Sequence, residues 1–97
     1  MYQNITSNTT TVLTTIDEND GENGNFDLRI TNYHDTGACI VNLYLTDSDG
    51  DDFYIAKLMK IPIATSVTFP TKHDTGDFSL TIETAGTTTI TLMRIYD

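Results

Sequence analysis

The sequence predicts an all-β protein, an antiparallel β-sandwich of seven to eight strands with Ig-like or jelly-roll-like connections. Two observations lead to this prediction. Apolar and polar residues alternate along most of the chain, and no window shows the i, i+3, i+4, i+7 apolar spacing of a helix. Turn signals also recur at about 10-residue intervals, as in sandwiches and small barrels. Threonine, a β-branched residue that suits strands, supplies 19 of 97 residues.

The predicted strands are separated by loops rich in glycine, asparagine and aspartate. In chain order they cover residues 9–16, 26–31, 39–45, 53–61, 66–69, 78–82 and 87–95. The 53–61 segment is apolar on both faces, which predicts a central strand or one covered on its outer side by a partner. Pro62 ends it, because proline cannot donate to a strand ladder.

The domain organisation follows from the length, since 97 residues suffice for one domain. Residues 9–97 are predicted to form it. Residues 1–8 form either an edge strand of the same domain or an arm that pairs with a neighbouring subunit.

Charge and cysteine content exclude several function classes. The net charge is −9 and the five basic residues are scattered, which argues against binding to nucleic acid or to an anionic membrane. Cys39 is the single cysteine, so no internal disulfide forms, which fits assembly in a reducing cytoplasm. The segment that opens the sequence lacks the basic and apolar regions of a signal peptide.

A repeated Asp-Thr-Gly triplet is the first candidate for chemistry. It occurs at 35–37 and 74–76, each time after a histidine. Aspartic proteases bring two such aspartates together to activate water. Neither copy follows the apolar strand that this site requires, so turn chemistry is the favoured interpretation. In it, Asp35 caps the turn and Gly37 supplies a positive φ.

Calcium is the only candidate cofactor. Asp47, Asp49 and Asp51 have the 1, 3, 5 spacing of a calcium loop, although the glycine of position 6 is replaced by Asp52. The acidic segment 17–25 is a similar candidate. In both segments the alternative is a solvated polar loop. Cys39 is expected to be buried and inert, and the two histidines lack metal-ligand spacing. The sequence therefore predicts no catalytic residue.

Five segments carry a resemblance to a known class of proteins: 2–13, 30–32, 41–45, 53–57 and 61–63. Together they resemble small virion structural proteins of tailed bacteriophages, especially short-tailed phages of marine bacteria. The resemblance implies a non-enzymatic β-sandwich on the head, neck or tail. Decoration of the capsid as a cement protein is the first expectation, and the location is then the virion, assembled in the host cytoplasm.

The expected partners are the major capsid protein or other virion proteins, with symmetric homo-oligomers that multiply weak contacts. The residues predicted to make these contacts are Tyr2, Ile5, Tyr54 and Leu58. Two alternatives stay open. One is a neck, tail or fibre module that contacts host glycans through Tyr33, Tyr44 and Tyr54. The remote one is an enzyme of the aspartic protease class.

Overall fold

The computed structural model describes residues 2–14, 26–72 and 78–96. These residues form eight antiparallel strands, and no helix occurs among them, so the all-β prediction is confirmed. The strands are β1 (Tyr2–Ile5), β2 (Thr10–Thr14), β3 (Phe26–Asn32), β4 (Cys39–Asp47), β5 (Asp52–Ile61), β6 (Thr65–Phe69), β7 (Phe78–Gly86) and β8 (Ile90–Tyr96).

The strands form two four-stranded sheets. Sheet 1 has the order β1-β8-β3-β6 and sheet 2 the order β2-β7-β4-β5. The first strand pairs with the eighth, the second with the seventh, the third with the sixth and the fourth with the fifth. The chain is thus one long hairpin folded over on itself, which is the connectivity of a jelly roll. An immunoglobulin-type sandwich divides its strands differently, so the jelly-roll alternative is the correct one.

The core lies between the sheets and follows from the period-two alternation. In β3, Phe26, Leu28 and Ile30 are fully buried, while the intervening residues are half-buried or exposed. Each such side chain contributes about 1.5–3 kcal/mol when taken out of water. The other buried apolar residues are Ile5, Leu13, Cys39, Val41, Leu43, Ile61, Phe69, Leu80, Ile82, Ile90 and Leu92.

The start of the described chain is an edge strand of this domain. Tyr2 pairs with Met93 and Ile5 with Ile90, so β1 adds to β8 at the edge of sheet 1. Ile5 is only 6% exposed and belongs to the core. It therefore packs inside its own subunit, which corrects its prediction as a contact residue.

Two further strand predictions need correction. β5 is the edge strand of sheet 2, not a central strand, because β4 is its only sheet partner among the described residues. β8 begins at Ile90, since β7 continues to Gly86 and residues 87–89 connect the two. Gly86 has a φ of 78°, and the N–H of the following Thr87 bonds to Ala38 O at 3.1 Å.

Candidate interaction surface

β5 carries the densest set of exposed apolar side chains in the described part of the chain. Phe53, Tyr54, Leu58 and Met59 are 51%, 46%, 69% and 39% exposed. Four large apolar residues within seven positions of one strand exceed the single exposed residues normal for a soluble domain. We call residues 52–60 the β5 surface.

The pairing of β5 with β4 fixes which side chains point away from the core. Asp52 pairs with Thr46, whose hydroxyl donates to the Asp52 carboxylate at 2.7 Å. Tyr54 pairs with Tyr44, and the two ring centroids are 5.1 Å apart. Lys60 lies further along the same outer face.

The inner face of β5 holds Phe53, Ala56 and Met59. Their partners on β4 are three residues of the core or packed against it: Leu45, Leu43 and Val41. Because β5 is at the sheet edge, this inner face is only partly covered. The Phe53 ring meets the Phe78 ring edge-on, with centroids 6.2 Å apart, and the residue still exposes half of its surface.

Two irregularities interrupt the pairing. Val41 pairs with Met59 and Leu43 with Ala56, so two residue steps on β4 lie opposite three steps on β5. From Leu43 to Tyr44 the ladder again gains one residue on β5. Both extra residues are therefore on the edge strand, where bulges bend the chain and redirect its side chains.

Leu58, in the first of these bulges, has an unusual backbone. Its φ is 53°, in the left-handed region that costs a bulky residue about 1–2 kcal/mol. The backbone N–H of Leu58 donates to Asn42 Oδ1 at 2.7 Å, and Asn42 Nδ2 donates to Glu83 Oε1 at 3.1 Å. Two hydrogen bonds in series, between Glu83 and Asn42 and between Asn42 and Leu58, thus hold the most exposed residue of β5 in a strained conformation. Such strain is concentrated at functional positions.

An open groove of about 420 Å³ lies beside Leu58 on the outer face of sheet 2. Its walls come from the start of β2 and from β4, β5 and β7. Six of its nine lining residues have polar side chains, and the nine are Asn8, Thr9, Thr10, Ile40, Asn42, Leu58, Glu83, Thr84 and Ala85.

The Tyr44 side chain next to this groove has a shifted ionisation. Its burial raises the pKa of the phenol above the ordinary value, and the negative charges of Glu83 and Asp52, together with Tyr54, raise it further. A hydrogen bond with Thr81 acts in the opposite direction. Tyr44 therefore remains a neutral hydroxyl well into the alkaline range.

Comparisons with protein-family models, with curated proteins and with solved structures found no match. In the described ranges, no helix is long and apolar enough to cross a membrane.

The first Asp-Thr-Gly triplet forms a turn that depends on its neighbours. His34 Nδ1 accepts the N–H groups of Thr36 and Gly37 at 3.0 Å each. Asn32, fully buried, accepts the N–H of His34 at 2.9 Å and donates to the carbonyl of Gly37 at 3.1 Å. The turn is thus held by His34 and Asn32, and the predicted capping role of Asp35 is corrected. The second triplet, at 74–76, lies outside the described residues.

Gly37 is required for space and not for a positive φ. Among the described residues, the glycines with positive φ are Gly50 and Gly86. A Cβ on Gly37 would lie 2.5 Å from the Cβ of Thr87 and 2.8 Å from its methyl group. The β3–β4 connection therefore passes so close to residue 87 that a side chain does not fit.

The β4–β5 loop shows what its aspartates do. Asp47 Oδ1 accepts the backbone N–H groups of Asp49 and Asp51 at 3.0 Å each. Gly50 donates to the Asp47 carbonyl at 3.1 Å and has a φ of 87°. The alternating spacing thus serves the turn. No cluster of three or more potential metal ligands occurs among the described residues. The other calcium candidate, 17–25, falls outside them.

Cys39 is buried at the start of β4, as predicted. Burial raises the pKa of its thiol, and a hydrogen bond with Thr88 lowers it by less. The neutral thiol therefore predominates near pH 7, which disfavours nucleophilic chemistry at this position.

The predicted contact residues separate into two groups. Tyr54 and Leu58 lie together on β5, whereas Tyr2, 74% exposed, lies on the edge of sheet 1. Phe53 and Met59 were not predicted as contacts, although the apolar character of both faces of 53–61 pointed to them. Tyr33 lines a second groove with Ile63 and is apart from the Tyr44–Tyr54 pair.

Proposed function

We propose that this protein is a non-enzymatic structural component of a bacteriophage particle, a decoration protein that binds the capsid. The observation that supports this proposal best is the β5 surface. Two of its four exposed apolar residues are aromatic, Phe53 and Tyr54, and aromatic side chains commonly anchor protein interfaces. The major capsid protein or another virion protein is the partner.

The strained backbone at Leu58 supports a contact function for this surface. A leucine side chain that is 69% exposed adds little hydrophobic stabilisation to the fold, and its φ of 53° adds strain energy. Burial of the same side chain against a partner would recover its transfer free energy. A site kept rigid by Asn42 also loses little conformational freedom when it binds.

The fold is compatible with this function but does not prove it. Jelly rolls form many viral capsid domains and also lectin domains and cupins. Because one fold hosts many functions, the proposal depends on the surface and on the sequence resemblance at 2–13 and 53–57.

The test uses phage particles whose genome encodes this chain. Purified particles should contain the protein in many copies, and particles made without it should rupture at a lower temperature. Recombinant wild-type protein added back should bind these particles and restore their resistance. Leu58→Lys should abolish binding, whereas Val12→Lys, at a 54%-exposed residue on the opposite edge of sheet 2, should not. Absence of the protein from purified particles would overturn the proposal.

A second function, attachment to host glycans by a neck, tail or fibre module, is favoured by the polar groove. The groove offers amide, hydroxyl and carboxylate groups, and the Tyr44–Tyr54 pair lies on the same face of sheet 2. One observation opposes it, because Lys57 Nζ is 5.0 Å from the centre of the Tyr54 ring and covers part of it.

A glycan array separates the two functions. Attachment predicts binding to a defined oligosaccharide that is lost in Glu83→Gln and Tyr54→Ala. Tyr33→Ala, which alters the other groove, is the matched control and should bind normally. If no oligosaccharide on the array binds, the decoration function alone remains.

A further inference from the structure

We propose that β5 pairs with β5 of a second copy of this chain, antiparallel and centred on Ala56. This joins two copies of sheet 2 into one eight-stranded sheet across a two-fold axis. The inference rests on the proposed function in using the β5 surface. The second copy pairs with the free edge of β5, and the outer side chains Tyr54 and Leu58 of both copies then form the face that binds the particle.

The first argument is that the β5 sequence is self-complementary about Ala56. In this pairing Asp52 lies opposite Lys60 of the second copy, Phe53 opposite Met59, and Tyr54 opposite Leu58. The two-fold axis repeats each pair. Opposite charges and apolar pairs directly across a ladder stabilise it. All four exposed apolar residues of the β5 surface thereby meet another apolar residue.

The second argument comes from the faces of the strand. Paired residues in an antiparallel ladder point to the same side of the sheet. The outer residues, Asp52, Tyr54, Leu58 and Lys60, lie symmetrically about Ala56, and so do the inner residues, Phe53 and Met59. The proposed register therefore matches outer with outer and inner with inner at these positions. The exception is Ile55, which packs against the core and lies opposite the exposed Lys57.

Neighbouring registers lose the pairs that favour this one. Moving one copy by a single residue places Asp52 on the outer face opposite Met59 on the inner face. Moving it by two residues places Ala56 opposite Tyr54 or, in the other direction, opposite Leu58, again across faces. Bulges and lysines commonly prevent unspecific pairing at sheet edges, and here the proposed register is the one that places Asp52 opposite Lys60 and Tyr54 opposite Leu58.

Charge gives the third argument. Two copies with a net charge of −9 each repel one another over most of their surfaces. β5 differs, because it carries Lys57 and Lys60 against a single acid, Asp52. It is the strand of the described chain with the most basic residues. The two copies therefore meet along strands with a net charge of +1 each, and the electrostatic attraction between them comes from the Asp52–Lys60 pairs.

A charge exchange tests both the dimer and its register. Light scattering should give the wild type twice the monomer mass of 10.8 kDa. Asp52→Lys or Lys60→Asp should each raise the dimer dissociation constant roughly tenfold or more, because two pairs become repulsive. The double variant D52K/K60D should restore the wild-type constant. Thr46→Val, which removes the hydrogen bond to Asp52 without changing charge, is the matched control and should remain dimeric.

The outcomes separate this inference from the proposed function. A wild type that stays monomeric at its solubility limit, or a dimer that the single charge variants do not weaken, overturns the inference. Failure of the double variant to recover overturns the register. Monomeric protein that still binds particles leaves the decoration function intact, whereas a dimer that binds no particles overturns that function and keeps the inference.

Discussion

Asn42 holds Leu58 in place through a hydrogen bond between its side-chain Oδ1 and the Leu58 backbone N–H, at 2.7 Å. The bond crosses from β4 to the bulge of β5, where the ladder skips a residue. It gives the N–H a partner that the irregular ladder does not supply. The exposed leucine side chain is therefore positioned by a residue of the neighbouring strand.

Replacing Asn42 by alanine should destabilise the protein and loosen the β5 surface. The lost hydrogen bond to Leu58 lowers the free energy of unfolding by about 1–2 kcal/mol, measured by urea denaturation. Hydrogen exchange at the Leu58 amide should become faster. Glu83→Gln keeps an acceptor for Asn42 Nδ2 and is the control. An unchanged exchange rate in Asn42→Ala would contradict the role of this bond.

Replacing Leu58 by glycine should separate stability from association. Glycine adopts a φ of 53° without the steric cost. It also gives the unfolded chain more conformational freedom, which lowers the free energy of unfolding by about 0.5–1 kcal/mol. The free energy of unfolding should therefore stay level or rise by up to about 1 kcal/mol. Binding through β5 should weaken, because the apolar side chain is gone.

Ala64→Gly provides the matched control for this substitution. Ala64 also has a positive φ, of 55°, and is exposed, but it lies outside the β5 surface. It should change stability in the same direction without affecting association, as measured by light scattering. Equal loss of association in both variants would show that Leu58 is not a specific contact.

Gly37→Ala should destabilise the fold through a clash with Thr87. Its Cβ would lie 2.5 Å from the Thr87 Cβ, so one of the two connections has to move, at about 1–3 kcal/mol. The double variant with Thr87→Gly should recover most of the loss in thermal denaturation. If the loss persists, a backbone requirement at Gly37 is the cause and the spatial explanation fails.

The Asp47 loop should behave as a turn and not as a calcium site. Asp47→Asn keeps the Oδ1 acceptor and should retain the wild-type melting temperature, whereas Asp47→Ala loses two hydrogen bonds and about 1–2 kcal/mol. Calcium or a chelator should leave the melting temperature unchanged. A rise with calcium that Asp49→Asn abolishes would establish the metal site instead.

Alkaline pH should destabilise the protein through Tyr44. Its pKa is raised in the folded state, so folding favours the neutral phenol. That contribution is fully present below the unfolded value near 10 and is lost as the pH rises through the folded pKa. Urea unfolding between about pH 8 and pH 11 should show this fall, and Tyr44→Phe should reduce it. Glu83→Gln removes one cause and should move the Tyr44 titration, followed by absorbance, to lower pH.

The positions of the strands were predictable from the sequence because apolar and polar residues alternate along a strand that has one buried and one exposed face. Phe26, Leu28 and Ile30 illustrate this, since each is fully buried as the alternation predicts. The buried free Cys39 was predictable for the same reason. Pairing partners were not, because the contact of Tyr2 with Met93 joins residues at opposite ends of the chain and depends on all strands between them.

The candidate surface was only partly predictable. Apolar residues on both faces of 53–61 are expected equally for a central strand and for an edge strand with an exposed contact face. Tyr54 and Leu58 were predicted as contact residues and are exposed on β5, whereas the exposure of Phe53 and Met59 follows only from the edge position of the strand. The positive φ of Leu58 has no local sequence signal, because the hydrogen bond that supports it comes from Asn42, 16 residues earlier in the chain.

The position of β8 between β1 and β3 determines when this protein is able to fold during synthesis. While the ribosome has not yet released residues 90–96, sheet 1 has only its β3–β6 pair, and β1 has no partner. Ile5 then lacks its partner Ile90, and β3 lacks one of its two neighbours. Long-range strand pairing of this kind is slow and exposes apolar surface meanwhile. We therefore expect a chain that ends before Ile90 to aggregate more readily than the full sequence.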